Sequence, residues 1–339
     1  MEERLQRETE GLIKSWMRHD EAMLRDYLVG DVEDPRLNVP SILTRHFLLE
    51  ALFGTRFAAL KAHELRFAVT MNWLLRVLRE CPTPEERRAV LHGLQTGADN
   101  AEGVSLPPFV TRTFAALPAR TNGVHVPNHL RQALAASSHS PDHAGTRDRV
   151  LSTFARLWHR RLERALPKRI SVLEPACGSA NDYRSLAACG IARFLDYTGF
   201  DLCEKNVRNA QALFPTTRFE VGNVFEIAAP DKTFDFGFVH DLFEHLSPDG
   251  METGIAEICR VTRHGLCVGF FNMDEIRDHQ VRPLDDYHWN LLSMARTKEL
   301  FGACGFTAQV VHIGAFLRQQ VGCEQTHNPN AYTFLLRLA

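Results

Sequence analysis

Residues 170–182, ISVLEPACGSAND, constrain this chain more than any other segment. A β-branched and apolar run from Ile170 to Leu173 ends in an acid, Glu174. It then gives way to small residues, Ala176, Gly178, Ser179 and Ala180, before a helix-like segment. The pattern predicts a strand, a tight turn and a helix. Small residues in such a turn let a ligand approach backbone amides at a helix N-terminus, and the carboxyl end of a strand is where open α/β sheets bind nucleotides. An ordinary strand-to-helix turn needs small residues for sterics alone, so the segment by itself leaves both readings open.

The following hundred residues favour the ligand reading. A second run, FLDYTGFDL (Phe194 to Leu202), is aromatic and β-branched and also ends in an acid, Asp201, at a strand-helix-strand spacing from the first turn. A carboxylate there can accept both ribose hydroxyls. A third run, TRFEVGNV, carries Asn223 at its end, and a fourth, FDFGFVHD, ends in His240 and Asp241. Four strands alternating with helical segments predict a parallel sheet with right-handed crossovers, its strand termini opening on one edge.

These residues resemble the class I S-adenosylmethionine-dependent methyltransferases. The family's first motif, an acid followed by Gly-x-Gly-x-Gly after strand one, is similar to Glu174 with Ala176, Gly178 and Ala180, only the central glycine being kept. The resemblance covers roughly residues 145–339. It implies an α/β fold: a seven-stranded, mostly parallel Rossmann-like sheet with an N-terminal all-helical region. GLCVGFF would be strand five, RTKELFGACGF a helix, FTAQVVHIG strand six and AYTFLLRLA strand seven. The implied cofactor is S-adenosyl-L-methionine. Ala176 and Gly178 would offer backbone to its methionine part, with Glu174 organising the turn. Asp201 would hold the ribose and Leu202 would pack on the adenine. Asn223, where the family usually has Asp, would accept from the adenine amino group, Val224 would supply a backbone amide, and His240 would lie beside the transferred methyl. Adenine-specific DNA methyltransferases share a first motif like EPACGSA but carry Asp or Asn before Pro-Pro and an aromatic after strand four, where this chain has HDLFEHL. Nicotinamide-dependent Rossmann enzymes share the acid after strand two but prefer Gly-x-Gly-x-x-Gly in the first turn.

At 339 residues and 45% hydrophobic content the chain can bury a full core, as two domains or one with a large extension. A formal charge of −2 creates no global field to recruit nucleic acid or membrane. The charged start MEERLQRETEG lacks the apolar core of a signal peptide, and no apolar run reaches membrane-spanning length. Eight cysteines without a Cys-x-x-Cys pair suit free thiols in a reducing cytoplasm.

Residues 1–140 read as a helical region and 141–339 as the catalytic domain. Leu5, Leu12, Ile13, Trp16, Met17, Met23, Leu24 and Leu28 fall at helical spacing, predicting one helix from Arg4 to Leu28. Helix is expected again from Ser41 to Glu80, interrupted near Gly54, and Pro84 is placed to open another. SSHSPDHAG (Ser137 to Gly145) reads as the joint. Such a region can be a substrate-facing cap, an arm for a homodimer, or plain support. Arg45 and His46 stand in an otherwise apolar helix and read as a salt-bridged pair more than as substrate ligands.

His240 is the first candidate for chemistry, because an imidazole takes a proton from a hydroxyl or amine near neutral pH. His288, with Tyr287 and Trp289, sits in the loop after strand five, which in this family often faces the acceptor. Asp241, Glu244 and His245 lie at i, i+3 and i+4, so one helical turn would gather them on a face. They resemble the Glu-x-x-Glu-His metal sites of ubiquinone-pathway O-methyltransferases and small-RNA 2′-O-methyltransferases, with His279 or His288 as later partner; a structural role is the commoner one, and no metal is assigned. Arg147, Arg149, Arg156, Arg160, Arg161, Arg164, Lys168 and Arg169 make the preceding helix basic, but its apolar side points to a solvated outer face instead of a nucleic-acid partner. The expectation is methyl transfer to an O, N or C nucleophile of a small molecule. A cofactor-binding protein without turnover, acting through its helical region, and a nicotinamide-dependent enzyme are the alternatives.

Overall fold

A computed structural model describes residues 2–26, 34–81, 83–101, 103–120, 143–323 and 328–339. Its seven-stranded sheet comprises β1 (Ile170–Pro175), β2 (Leu195–Asp201), β3 (Arg218–Val221), β4 (Phe234–His240), β5 (Thr262–Phe270), β6 (Phe306–His312) and β7 (Tyr332–Leu338). Their spatial order is β6-β7-β5-β4-β1-β2-β3. The first five strands are parallel, and β7 runs antiparallel to both β5 and β6. Strand order therefore reverses between β1 and β4, the place where open sheets leave a crevice at their carboxyl edge.

The helices are α1 (Glu3–Met17), α2 (Glu21–Asp26), α3 (Val39–Phe53), α4 (Ala58–Glu80), α5 (Pro84–Thr96), α6 (Pro108–Arg120), α7 (His143–Leu162), α8 (Asn181–Ala188), α9 (Glu204–Leu213), α10 (Pro248–Val261), α11 (Met294–Ala303) and α12 (Ile313–Val321). Neighbouring residues of the central strands feed opposite faces, as the two-residue strand period requires. Val172, Phe238 and Cys267 join the core containing Phe47, Phe67, Trp158 and Leu186. Leu173, Val239 and Val268 join the one containing Phe243, Ile255, Ile258 and Phe301. Sheets covered on both faces have near-continuous apolar strands, which is why these runs stood out in the sequence.

The helical region shares the first core with the sheet. Helix α3 begins where the Asn38 side chain accepts from Ser41 N at 3.2 Å, carries Pro40 in its first turn, and stops at Gly54 in a positive-φ conformation. Ile42, Leu43, Phe47, Leu48 and Leu49 are all buried, so this helix is an inner layer. The Thr83–Glu86 capping box and Pro84 open α5. The single helix expected from Arg4 to Leu28 is divided, because Asp20 Oδ1 accepts from Ala22 N at 2.8 Å and Met23 N at 3.2 Å and starts α2 afresh. In α7, Phe154, Leu157, Trp158 and Leu162 are buried while Arg156, Arg160 and Arg161, and Arg164 just beyond the helix, face solvent; the side chains of Arg147 and Arg149, and most of the expected joint at 137–145, lie outside the described residues. None of the eight cysteines is joined in a disulfide. Among the described residues no helix is long and apolar enough to cross a membrane.

Arg45, fully buried in α3, donates to Glu64 Oε1 of α4 at 2.8 Å, to the Pro35 and Arg36 carbonyls at 2.9 and 3.0 Å, and to Ser185 Oγ of α8. His46 Nε2 lies 2.6 Å from Glu64 Oε2. Burial works against the Glu64 charge, but Arg45 and the His46 hydrogen bond outweigh it and hold the carboxyl at about 2 instead of 4.5. Because that value is depressed, its stabilisation is complete above pH 4.5 and disappears as pH falls towards 2. Glu64→Gln leaves a buried guanidinium unpaired and should cost about 3–5 kcal/mol in denaturant unfolding at pH 7. The gap from the parent protein should shrink below pH 4.5; an equal gap at every pH contradicts the assignment.

Candidate functional site at the sheet's carboxyl edge

The turn after β1 has a left-handed backbone at three alternate positions, with φ of 54° at Ala176, 54° at Gly178 and 66° at Ala180. Those are the three positions of the glycine motif, so the turn keeps its path with alanine at two of them. Nothing lies within 4 Å of where a Cβ on Gly178 would stand, which leaves its backbone open to a ligand. Behind it, Asp201 Oδ2 accepts from Gly178 N at 2.9 Å, while Oδ1 accepts from Cys203 N at 2.8 Å and Asn206 Nδ2 at 3.2 Å. Three of a carboxylate's roughly four acceptor positions are thereby used, leaving room for one further hydroxyl. Glu174 is buried and accepts the Tyr197 hydroxyl. Burial, with the Asp182 and Asp201 charges nearby, pushes its carboxyl well above the ordinary range.

Leu202, half-buried, follows Asp201 at this edge. Val224 packs into the core beneath, 3.4 Å from the point where a Cβ on Gly254 would lie. Asn223 Oδ1 accepts from Phe225 N at 2.9 Å, and its Nδ2 donates to Thr9 Oγ1 of α1 at 3.1 Å. Helix α1 thus lies across the same edge. Glu8 accepts from Ser247 N at 2.6 Å, and the Lys205 ammonium holds the Met17 and His19 carbonyls, each at 2.9 Å. The N-terminal helices therefore face the positions that the sequence assigned to the adenosine.

At the end of β4, His240 Nδ1 lies 2.8 Å from Asp182 Oδ2 of α8, and its Nε2 lies 3.0 Å from Thr44 Oγ1 of α3. Gly269 on β5 makes room for the ring, since a Cβ there would come within 2.3 Å of His240 Cδ2. Burial opposes the imidazolium, yet the Asp182 carboxylate outweighs it and raises the His240 pKa above 6.5. Asp182 in turn is lowered, burial being overcome by His240 and a hydrogen bond from Ser41. The ring faces a cavity of about 230 Å³ whose walls include Asn38, Ser41, Asn72, Trp73, Phe109, Phe270 and Phe271. Asp182, Thr44 and these wall residues were not singled out in the sequence. The signal for Asp182 was an acid in the first turn after the small-residue bend; Thr44, 196 residues from His240, left none.

The loop after β5 is organised around a different histidine. His288 N donates to the His245 carbonyl at 3.1 Å, His245 Nδ1 lies 3.2 Å from the His288 carbonyl, and the His245 ring packs against Tyr287, Trp289 and Phe271. None of Tyr287, His288 and Trp289 lines the His240 cavity. Asp241, Glu244 and His245 do not share an α-helical face. Asp241 is left-handed, residues 243–245 form one tight 3₁₀ turn, and Glu244 is turned inward to accept from Phe271 N and Asn272 N at 2.8 and 3.3 Å. Burial and the Asp241 charge push the Glu244 carboxyl up to about 8. His279 Nδ1 accepts from Ser293 N at 3.0 Å. Among the described residues no group of three or more such side chains could hold a metal ion.

Residues 172–265 match the family model described as a methyltransferase domain. No curated protein matches the chain. Among solved structures it is similar to a SAM-dependent methyltransferase from Methanosarcina mazei, at 14% identity over 52% of this chain and 96% of that one, TM-score 0.40. It is also similar to a Burkholderia thailandensis 1,6-didemethyltoxoflavin-N1-methyltransferase with bound 1,6-didemethyltoxoflavin and S-adenosylhomocysteine, at 18% identity, 66% and 90% coverage and TM-score 0.37. A third is an S-adenosylmethionine-dependent methyltransferase from Mesorhizobium loti, at 14% identity, 52% and 96% coverage and TM-score 0.39.

Ala176→Gly tests the backbone of the turn. Removing a left-handed alanine relieves about 1–2 kcal/mol against a glycine entropy cost of about 0.5–1, so stability should rise by about 0.5–1 kcal/mol. A fall in the urea midpoint contradicts the left-handed assignment.

Proposed function

We propose that this chain, whose Rossmann-like sheet carries a methyltransferase domain, binds S-adenosyl-L-methionine at the β1–β2 edge and methylates a small-molecule nucleophile in the cavity beside His240. The observation that carries the reading is the left-handed Ala176–Gly178–Ala180 turn, open above Gly178 and braced from behind by Asp201. Glu174, Ala176 and Gly178 would meet the methionine part, Asp201 and Leu202 the ribose and adenine, Asn223 and Val224 the far side of the base. The edge is acidic: Glu174, Asp182, Asp201 and Asp241 surround it, which suits a cationic ligand. When bound, the cofactor supplies an electrophilic methyl already activated by its positive sulfur.

The chain's own part is to position the acceptor, exclude water and receive a proton. With Nδ1–H directed to Asp182, neutral His240 presents the Nε2 lone pair towards Thr44 and the cavity. An acceptor hydroxyl or amine that replaces the Thr44 contact delivers its proton to Nε2. Helices α3, α4 and α6 act as the cap, contributing Ser41, Asn72, Trp73 and Phe109 to the cavity wall. His288, with its backbone tied to His245, positions the neighbouring loop.

Calorimetry with adenosylmethionine should give saturable binding that Asp201→Asn weakens at least tenfold; no binding, or equal affinity in the variant, refutes the cofactor site. The acceptor is found by incubating metabolite extracts with methyl-labelled cofactor and reading which species gains the label. With that acceptor, His240→Asn should lower kcat by about 10²-fold or more while cofactor affinity stays constant, the range for loss of a general base. The rate should climb as pH rises through the raised His240 pKa. Asp182→Asn removes the charge that raises it, so the climb should move to lower pH. A pH profile identical in the two proteins removes His240 from the chemistry.

A further inference from the structure

We propose that the cleft between α4, α6 and α12 is a binding site for the phosphate-like oxyanion of a small molecule. The cleft encloses about 340 Å³, and Arg66 of α4, Arg112 of α6 and Arg318 of α12 all line it. Among the described residues none that lines it is acidic. Among the described residues these three guanidiniums form no ion pair, whereas Arg36, Arg45, Arg208, Arg260, Arg263 and Arg296 each pair with a carboxylate.

Three like charges drawn from distant parts of the chain repel one another, and only solvent or a bound anion offsets this. The backbone accommodates the grouping. Helix α12 ends at Gly322, left-handed at φ 74°, where its N–H caps the Arg318 carbonyl. A Cβ on Gly322 would approach Arg112 Nη2 to 2.9 Å, so glycine at this point leaves space for the Arg112 guanidinium against the end of α12. Guanidinium forks match the paired oxygens of phosphate and carboxylate. The Gln319 and Gln320 amides stand on the same rim as further donors. The volume falls within the range of small-ligand pockets and is a local cleft, not the extended track a polynucleotide needs.

Phe109 lines both this cleft and the His240 cavity, so the two share a wall. The oxyanion therefore belongs either to the methyl acceptor itself or to a separate molecule held beside it.

Pyrophosphate serves as the probe, titrated calorimetrically into the whole protein at low salt. Saturable binding is expected, weaker at higher salt and at least tenfold weaker in the double variant Arg112→Gln with Arg318→Gln. Both arginines are exposed, and an unchanged melting temperature verifies that the variant is folded. No pyrophosphate binding, or binding equal in the two proteins, overturns the proposal. Arginine-dependent binding of generic RNA without pyrophosphate binding also overturns it, making the cleft a nucleic-acid surface. Neither titration requires adenosylmethionine, so its failure is separable from failure of the methyl-transfer reading. Once the acceptor is identified, a raised KM with unchanged kcat in the double variant assigns the oxyanion to the acceptor. An unchanged KM with retained arginine-dependent pyrophosphate binding assigns it to a separate ligand.

Discussion

The guanidinium of Arg45 connects parts of this molecule that its sequence keeps far apart. It sits in an inner helix and reaches the 34–37 segment, α4 and α8 at once. An ion taken out of water is costly, and here the cost is offset because Glu64 supplies the opposite charge while two carbonyls and a hydroxyl take the other donors of its two terminal nitrogens, Nε alone being left without a partner. The consequence reaches the functional edge. Fixing α3 at Arg45 fixes Thr44 beside it and Ser41 one turn earlier, and these two residues touch His240 and Asp182 respectively. A helical layer packed less specifically would still bury Phe47 and Leu48, but it would not hold a hydroxyl 3.0 Å from an imidazole.

The turn after β1 shows how little glycine this sheet needs. Its path demands a left-handed backbone, which alanine, the smallest residue with a Cβ, adopts at a cost of about 1–2 kcal/mol. At Gly178 the space above is also clear, so the position that kept glycine is one through which a ligand can approach. Cys177 and Ala180 are instead buried in the core, where their Cβ atoms pack. Asp201 then has two tasks at one place: it anchors Gly178 and the start of α9, and it retains capacity for another donor.

Much of the fold was legible in the sequence because strands buried on both faces appear as apolar runs ending in polar residues. Glu174, Asp201, Asn223 and His240 mark the ends of four successive runs, and all four lie on the same edge. Local patterning was less informative where contacts are distant. The stripe from Leu5 to Leu24 gave the helical period, but the break at Asp20 depends on its side chain outcompeting a continuing helix for two amides. Asp241, Glu244 and His245 have metal-site spacing only if the segment is α-helical; its left-handed start and tight turn direct Glu244 inward, towards the amides after β5. His288 has the chemistry of a base, yet its neighbours are His245 and an aromatic cluster, a placement set by the fold of residues 273–293 and not by spacing. Thr44 and Phe109 belong to helices with no motif of their own.

The two cavities on either side of Phe109 differ in charge: Asp182 and Asp241 line the first together with Arg76 and His240, and three guanidiniums line the second. Towards His240 the surroundings are acidic, and burial already makes Glu174 reluctant to ionise beside Asp182 and Asp201. A cation placed there is favoured twice, by attraction to the ionised carboxylates and by drawing Glu174 towards its charged form. On the other side three guanidiniums favour an anion. Exposed charges screen one another over about 8–10 Å at physiological salt, so fields on opposite sides of a single buried ring remain distinct but coupled. An acceptor that itself carries the oxyanion would have its uncharged nucleophile directed to His240, because the reverse orientation sets the anion against Asp182 and Asp241 and leaves the arginines unpaired. Orientation of that kind arises from charge alone, and it complements the positioning on which methyl transfer to an activated carbon chiefly depends.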